Sequence, residues 1–136
     1  MTFPSNGAES PSKLKVVLSS VWEGDKALVW GRDRLSFSNR GNDPLTRAPS
    51  AEDWTQFRYT LDKLTIWNWQ PDYNNHGVLD GLQWEIEIIY LDRGIICFGS
   101  NAYPDESGAS NNHPAMSKPF VDFIDAVNKL FGARVF

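Results

Sequence analysis

Apolar residues recur along this chain at two spacings, and the switch between them marks its elements. Residues 13–22, KLKVVLSSVW, are apolar and rich in β-branched side chains. A turn at 23–25 (EGD) leads to KALVW at 26–30, and another at 31–33 (GRD) leads to RLSFSN at 34–39. There Leu35 and Phe37 alternate with Arg34, Ser36 and Ser38, which predicts a strand with one wet face. After a loop at 40–49 the spacing changes. Ser50 followed by Asp53 is a variant of the capping box, and Trp54, Phe57, Leu61 and Leu64 then share one helical face. Alternation returns at 65–69, TIWNW, with Trp67 and Trp69 on one side and Ile66 and Asn68 on the other, until Pro71 stops the strand.

Residues 82–92 place Trp84, Ile86, Ile88 and Tyr90 on one face, and Glu85 and Glu87 with Ile89 and Leu91 on the other. A turn at 92–94 (DRG) leads into IICFGS, 95–100, which reads as a buried last strand. A long loop follows. Ser117 then stands as an N-cap with Pro119 in the first turn, and Phe120, Phe123, Ile124, Val127, Leu130 and Phe131 form an apolar helical face. Gly132 occupies the position of a left-handed C-terminal cap.

The order β-β-β-α-β-β-β-α predicts an α+β fold: a twisted antiparallel sheet of about six strands with both helices packed on one face and the other face partly open. Trp54, Phe57, Leu61, Leu64 and Phe120, Phe123, Val127, Leu130 repeat the same offsets. That pattern suits a duplicated βββα unit, but any amphipathic helix yields it. A chain of 136 residues fits one domain, expected at 13–136, behind a disordered N-terminal tail at 1–12.

Composition narrows the function. Six Trp, eight Phe and four Tyr make the chain rich in aromatics. A net charge of −4 argues against nucleic-acid binding and against an anionic membrane surface. Charge is uneven: residues 71–106 hold seven acids and one base, so that segment carries about −6. The single cysteine, Cys97, excludes an internal disulfide and reads as a small buried hydrophobe. No signal peptide or membrane-spanning run is present, which predicts a cytoplasmic protein.

Phosphate loops, dinucleotide fingerprints, nucleophile elbows and zinc spacings are absent, and no cofactor, metal or catalytic residue is expected. Three patterns offer chemistry. His76 and His113 sit in similar settings, NNHG and NNHP, and with Asp72 or Asp80 they would suit a metal or acid–base site. Glu85 and Glu87 share a strand face, roughly 7 Å apart, the disposition of a glycosidase pair or of a solvated strand. The Trp67–Trp84 stretch combines indoles with Asn and Asp, which suits either sugar stacking or a core position for Trp67, Trp69 and Trp84. Tyr73, Asn74, Asn75, His76 and Asp80 are expected to be exposed on its turn.

The run WEIEIIY, the turn GSNAYP and the helix FVDFIDAVNKL, with the upstream W-x-x-F helix and the IWNW…Y…DG segment, cover roughly residues 54–131. Together they resemble a group of small bacterial proteins of mostly unassigned function. Small, acidic proteins of that type look like immunity proteins, which neutralise toxins by binding them. This chain differs by inserting 105–118 between turn and helix. The resemblance implies a non-catalytic, protein-binding inhibitor that occludes a toxin or enzyme, a basic one given the charge. The expected partner-binding residues are Asp72, Tyr73, Asn74, His76, Asp80, Glu85, Glu87, Tyr103, Asp105 and Glu106. The alternatives are a small-ligand or glycan module, or a small hydrolase, at the Trp67–Trp84 loop, and a structural or phage-derived regulatory subunit. Oligomeric state is left open by the sequence.

Overall fold

The computed structural model describes residues 10–31, 33–75, 81–110 and 115–136. Residues 1–9 of the expected tail lie outside that range, as do His76, Asp80 and His113. By Pro11 the chain is already buried, and the Ser12 amide donates to the Ile89 carbonyl at 2.7 Å.

The fold is α+β. Its described strands are β1 (Lys13–Ser20), β2 (Gly24–Gly31), β3 (Arg34–Asn39), β4 (Leu45–Arg47), β5 (Asp72–Asn74), β6 (Leu82–Ile89) and β7 (Gly94–Ser100). They form one sheet in the order β4-β3-β2-β1-β6-β7-β5. Every neighbouring pair is antiparallel except β5 with β7, which is parallel, so the sheet is mixed rather than wholly antiparallel. Three-residue β4 and β5 close the edges. Strands that short carry no readable alternation, and neither was expected. The two halves of the chain do not repeat one unit, because β5 joins the far edge in the opposite sense.

Helices α1 (Ala51–Leu64) and α2 (Lys118–Phe131) touch each other and cover one face of the sheet. Their ends follow local chemistry. The Ser50 hydroxyl accepts from the Asp53 amide at 3.1 Å and the Asp53 carboxylate accepts from the Ser50 amide at 2.9 Å, a reciprocal capping box. Ser117 caps α2, and Gly132 ends it at φ 85° with its amide on the Asn128 carbonyl. The buried stripes Trp54–Phe57–Leu61 and Phe120–Phe123–Val127–Leu130 meet Leu14, Val16, Leu28, Leu35, Ile86 and Ile88 from the strands. An edge contact between Trp30 and Trp54 and a tilted one between Phe37 and Phe131 fasten the first hairpins to the helices.

The strand expected at TIWNW is instead a 3₁₀ turn, Ile66–Asn68. Thr65 takes a left-handed conformation, φ 49°, and closes α1 through the Asp62 and Leu61 carbonyls. The tighter winding brings Ile66 and Trp69 together into the core. Trp67 folds back, its Nε1 donating to Asp62 at 2.8 Å. Five residues of alternation fit either outcome, and the left-handed cap decides between them.

Candidate functional site

Both helices lie on one side, and among the described residues no element covers the opposite face of the sheet. Cross-strand partners point to the same side, so register fixes what this face presents. One row runs Thr46, Ser36, Val29, Lys15, Glu87, Ile96 from β4 to β7; the next runs Ser38, Ala27, Val17, Glu85, Phe98, Asp72 from β3 to β5. Val29, Ile96 and Phe98 are 43%, 47% and 49% exposed, large apolar groups left half in water on one face. Lys15 pairs with Glu85 at 3.4 Å and Lys13 with Glu87 at 3.3 Å along the middle. At the β5 edge, Asp72, Asn74, Gln83, Glu85 and Phe98 line a shallow depression of about 470 Å³.

This face gathers Asp72, Asn74, Glu85 and Glu87 of the expected set. The others are placed differently. Tyr73 and Tyr103, expected as exposed anchors, are each 1% exposed and belong to the core. Tyr73 Oη accepts from the Gln70 amide at 2.8 Å and donates to the Gly108 carbonyl at 2.6 Å, tying two loops together. Tyr103 stacks on Trp84. Burial pushes both phenols above their usual range. Glu106 is exposed. Asp105 is committed to its own loop, its carboxylate accepting from the Ser107 amide and hydroxyl and from the Ala109 amide.

The acidic segment is not a free acidic patch. Lysines of β1, from outside the segment, neutralise Glu85 and Glu87, and the Glu87 side chain is only 19% exposed. Asp92 accepts a two-bond fork from Arg58 on α1. Pairing between strands some seventy residues apart creates this neutralisation, and a linear charge count does not register it.

Trp69 and Trp84 are buried, and Trp67 packs edge-on to Tyr90 under the Arg58 guanidinium. No indole of the Trp67–Trp84 stretch is left as a flat exposed platform for a sugar. Cys97 lies in the core, where burial pushes its thiol up to about 12. Among the described residues no group of three or more His, Cys, Asp or Glu is placed to hold a metal ion, and no helix is long and apolar enough to cross a membrane.

Sequence reasoning missed Val17, Val29, Ile96 and Phe98. In IICFGS and KVVL both faces of the strand are apolar, so alternation is invisible and the run reads as core. A continuous apolar run is normal where a sheet is covered on both sides. Here helices cover only one.

Several carboxylates are held below their ordinary range by the bonds they accept: Asp53 by the Ser50 amide, Asp92 by Arg58 and Asp105 by Ser107. A depressed folded value stabilises above the unfolded one, 3.8 for Asp, and that contribution fades as pH falls through the folded values. Thermal melts are expected to show a flat midpoint from about pH 7 to 5 and a decline below about pH 4. A midpoint that holds or rises towards pH 3 would contradict these placements.

No protein-family model matches the chain, and no curated protein matches it in sequence.

Proposed function

We propose that the chain is a protein-binding protein, an immunity-type inhibitor that occludes a toxin or enzyme by docking the helix-free face of its sheet against it. The observation that carries this reading is the set Val29, Ile96 and Phe98, half exposed on one face between polar and ion-paired rows. Large apolar side chains left half in water flank an ion-paired middle on this face, and a partner that covers them would remove that exposure. Half-buried apolar side chains supply affinity by losing their remaining contact with water. The Lys15–Glu85 and Lys13–Glu87 pairs set register more than strength. Attraction of a basic partner rests on the β5 edge, where Asp72 is exposed.

The test compares wild type with Ile96→Asp/Phe98→Asp and with Tyr59→Asp, a control on the exposed outer side of α1. Tagged proteins are used to capture a partner from lysate of the producing cells, and affinity is then measured with the purified partner. The double variant is expected to weaken binding at least about thirtyfold, as loss of two large apolar anchors does, and the control to change it little. Equal binding by all three would remove the sheet face as the docking surface.

A further inference from the structure

The open face is self-complementary. Its boundary between β1 and β6 separates a basic row, Lys13 and Lys15, from an acidic row, Glu85 and Glu87. Outside the basic row β2 presents Ala27 and Val29; outside the acidic row β7 presents Phe98 and Ile96. Level by level, Lys15 is matched by Glu87, Val29 by Ile96 and Ala27 by Phe98, whereas Glu85 is matched by Val17 and Lys13 by Ile89, so one charged level and the two flanking apolar levels are complementary.

We infer that a second copy of this chain covers the face, forming a two-fold dimer in which β1 of one copy lies over β6 of the other. The inference rests on reading this face as a protein interface. A two-fold axis lying in the face, along the strands and between β1 and β6, exchanges the two sides of the boundary while keeping each residue at its level. Lys15 shares a level with Glu87, and Val29 with Ile96. The operation therefore sets Lys15 over Glu87 of the second copy, and Val29 over its Ile96. Ala27 shares its level with Phe98, so a small side chain meets a large one. An axis in the face but across the strands would instead lay β1 over β1 and bring lysine onto lysine, so charge selects the first. Strands of the two sheets then run nearly aligned, the ordinary geometry of stacked sheets. A contact of this kind is isologous and closes at two copies.

Size sets the strength. Strands β2, β1, β6 and β7, spaced about 4.8 Å apart with about seven residues each rising about 3.3 Å, together with three residues of β3 over β5 on either flank, give a footprint of roughly 550 Å² per copy. The total of about 1,100 Å² stands at the low end of specific interfaces. The dimer is therefore exchangeable, and a target that docks on the same face competes with it.

Sedimentation equilibrium of the full chain from about 5 to 500 μM reads this directly. Wild type is expected to move from 15.4 kDa towards twice that mass. Lys13→Glu/Lys15→Glu alone, and Glu85→Lys/Glu87→Lys alone, are each expected to stay monomeric, because like charges then face one another. An equimolar mixture of the two is expected to dimerise again, since each reversed row meets its opposite. Circular dichroism checks that both fold. If either does not, Phe98→Ser is expected to weaken the dimer at least about tenfold. A wild type that stays monomeric at 500 μM overturns the inference, as does a dimer that survives both reversals or a mixture of folded variants that fails to associate. A monomeric wild type whose captured partner is still lost on changing Ile96 and Phe98 overturns the dimer and leaves the docking reading standing. A dimer broken by the reversals, with partner binding indifferent to Ile96 and Phe98, supports the dimer and removes the docking reading.

Discussion

Replacing Gly99 with alanine is expected to destabilise the fold by about 3 kcal/mol, the upper part of the range for overpacking a core. Gly99 lies on β7 directly opposite Trp84 on β6, and a Cβ there would stand 2.0 Å from Cε2 and Nε1 of the indole. Trp84 cannot move aside, because its other contacts hold it. Nε1 donates to the Ala102 carbonyl at 3.0 Å, Tyr103 stacks on it at 6.2 Å, and Phe120 of α2 presses against it at 4.7 Å. Urea denaturation measures the loss. The cause is checked in a Trp84→Leu background, where the clash is gone and the same Gly99→Ala change is expected to cost less than about 1 kcal/mol, a coupling of about 2 kcal/mol. Equal costs in the two backgrounds would show that the indole is not the reason for glycine.

That contact explains the turn GSNAYP, which the sequence singles out without saying what it does. Gly99 makes room for the indole, Asn101 takes a left-handed φ of 56° and bonds Leu82, Ala102 accepts the indole proton, and Tyr103 stacks on the ring. The motif is a bracket around Trp84, and its chemistry is that of packing. Both helices, with their caps, were legible because their signals are local: a capping pair, a left-handed glycine and apolar offsets within fourteen residues. β3 and β6 were legible from alternation, and β1, β2 and β7 from apolar, β-branched runs bounded by turns. What escaped was non-local or too short. Alternation over five residues does not distinguish a strand from the 3₁₀ turn at Ile66–Asn68. Neutralisation of Glu85 and Glu87 requires knowing that β1 neighbours β6. Exposure of Ile96 and Phe98 requires knowing that helices cover only one face. Tyr73 and Tyr103 looked like exposed loop residues because nothing local marks the short edge strand that turns Tyr73 inward or the loop that folds Tyr103 over the core.

Arg58→Ala is the second change expected to cost about 3 kcal/mol, and its origin differs. The Arg58 side chain is 13% exposed, and its guanidinium joins three elements. It donates a fork to Asp92 at 3.1 and 2.8 Å on the β6–β7 turn, and Nε donates to Asp62 at 3.0 Å on its own helix. It also lies 4.6 Å from the Tyr90 ring centre and 5.4 Å from that of Trp67. Both carboxylates are substantially exposed, 45% for Asp62 and 62% for Asp92, so solvent screening leaves the ion pairs a minor part of that cost. The aromatic contacts add about 1 kcal/mol. The larger remainder is the buried stem and the void it would leave over Tyr90. Salt separates the ionic part from the packing part. Raising NaCl to about 1 M screens only the ion pairs and is expected to shrink the difference between wild type and Arg58→Ala by less than about 1 kcal/mol. Arg58→Lys keeps the charge but loses the fork and the flat contact with the rings, and is expected to cost about 1.5 kcal/mol. A penalty below about 0.5 kcal/mol for Arg58→Ala, or one that vanishes in high salt, would reduce this cluster to an ordinary surface ion pair.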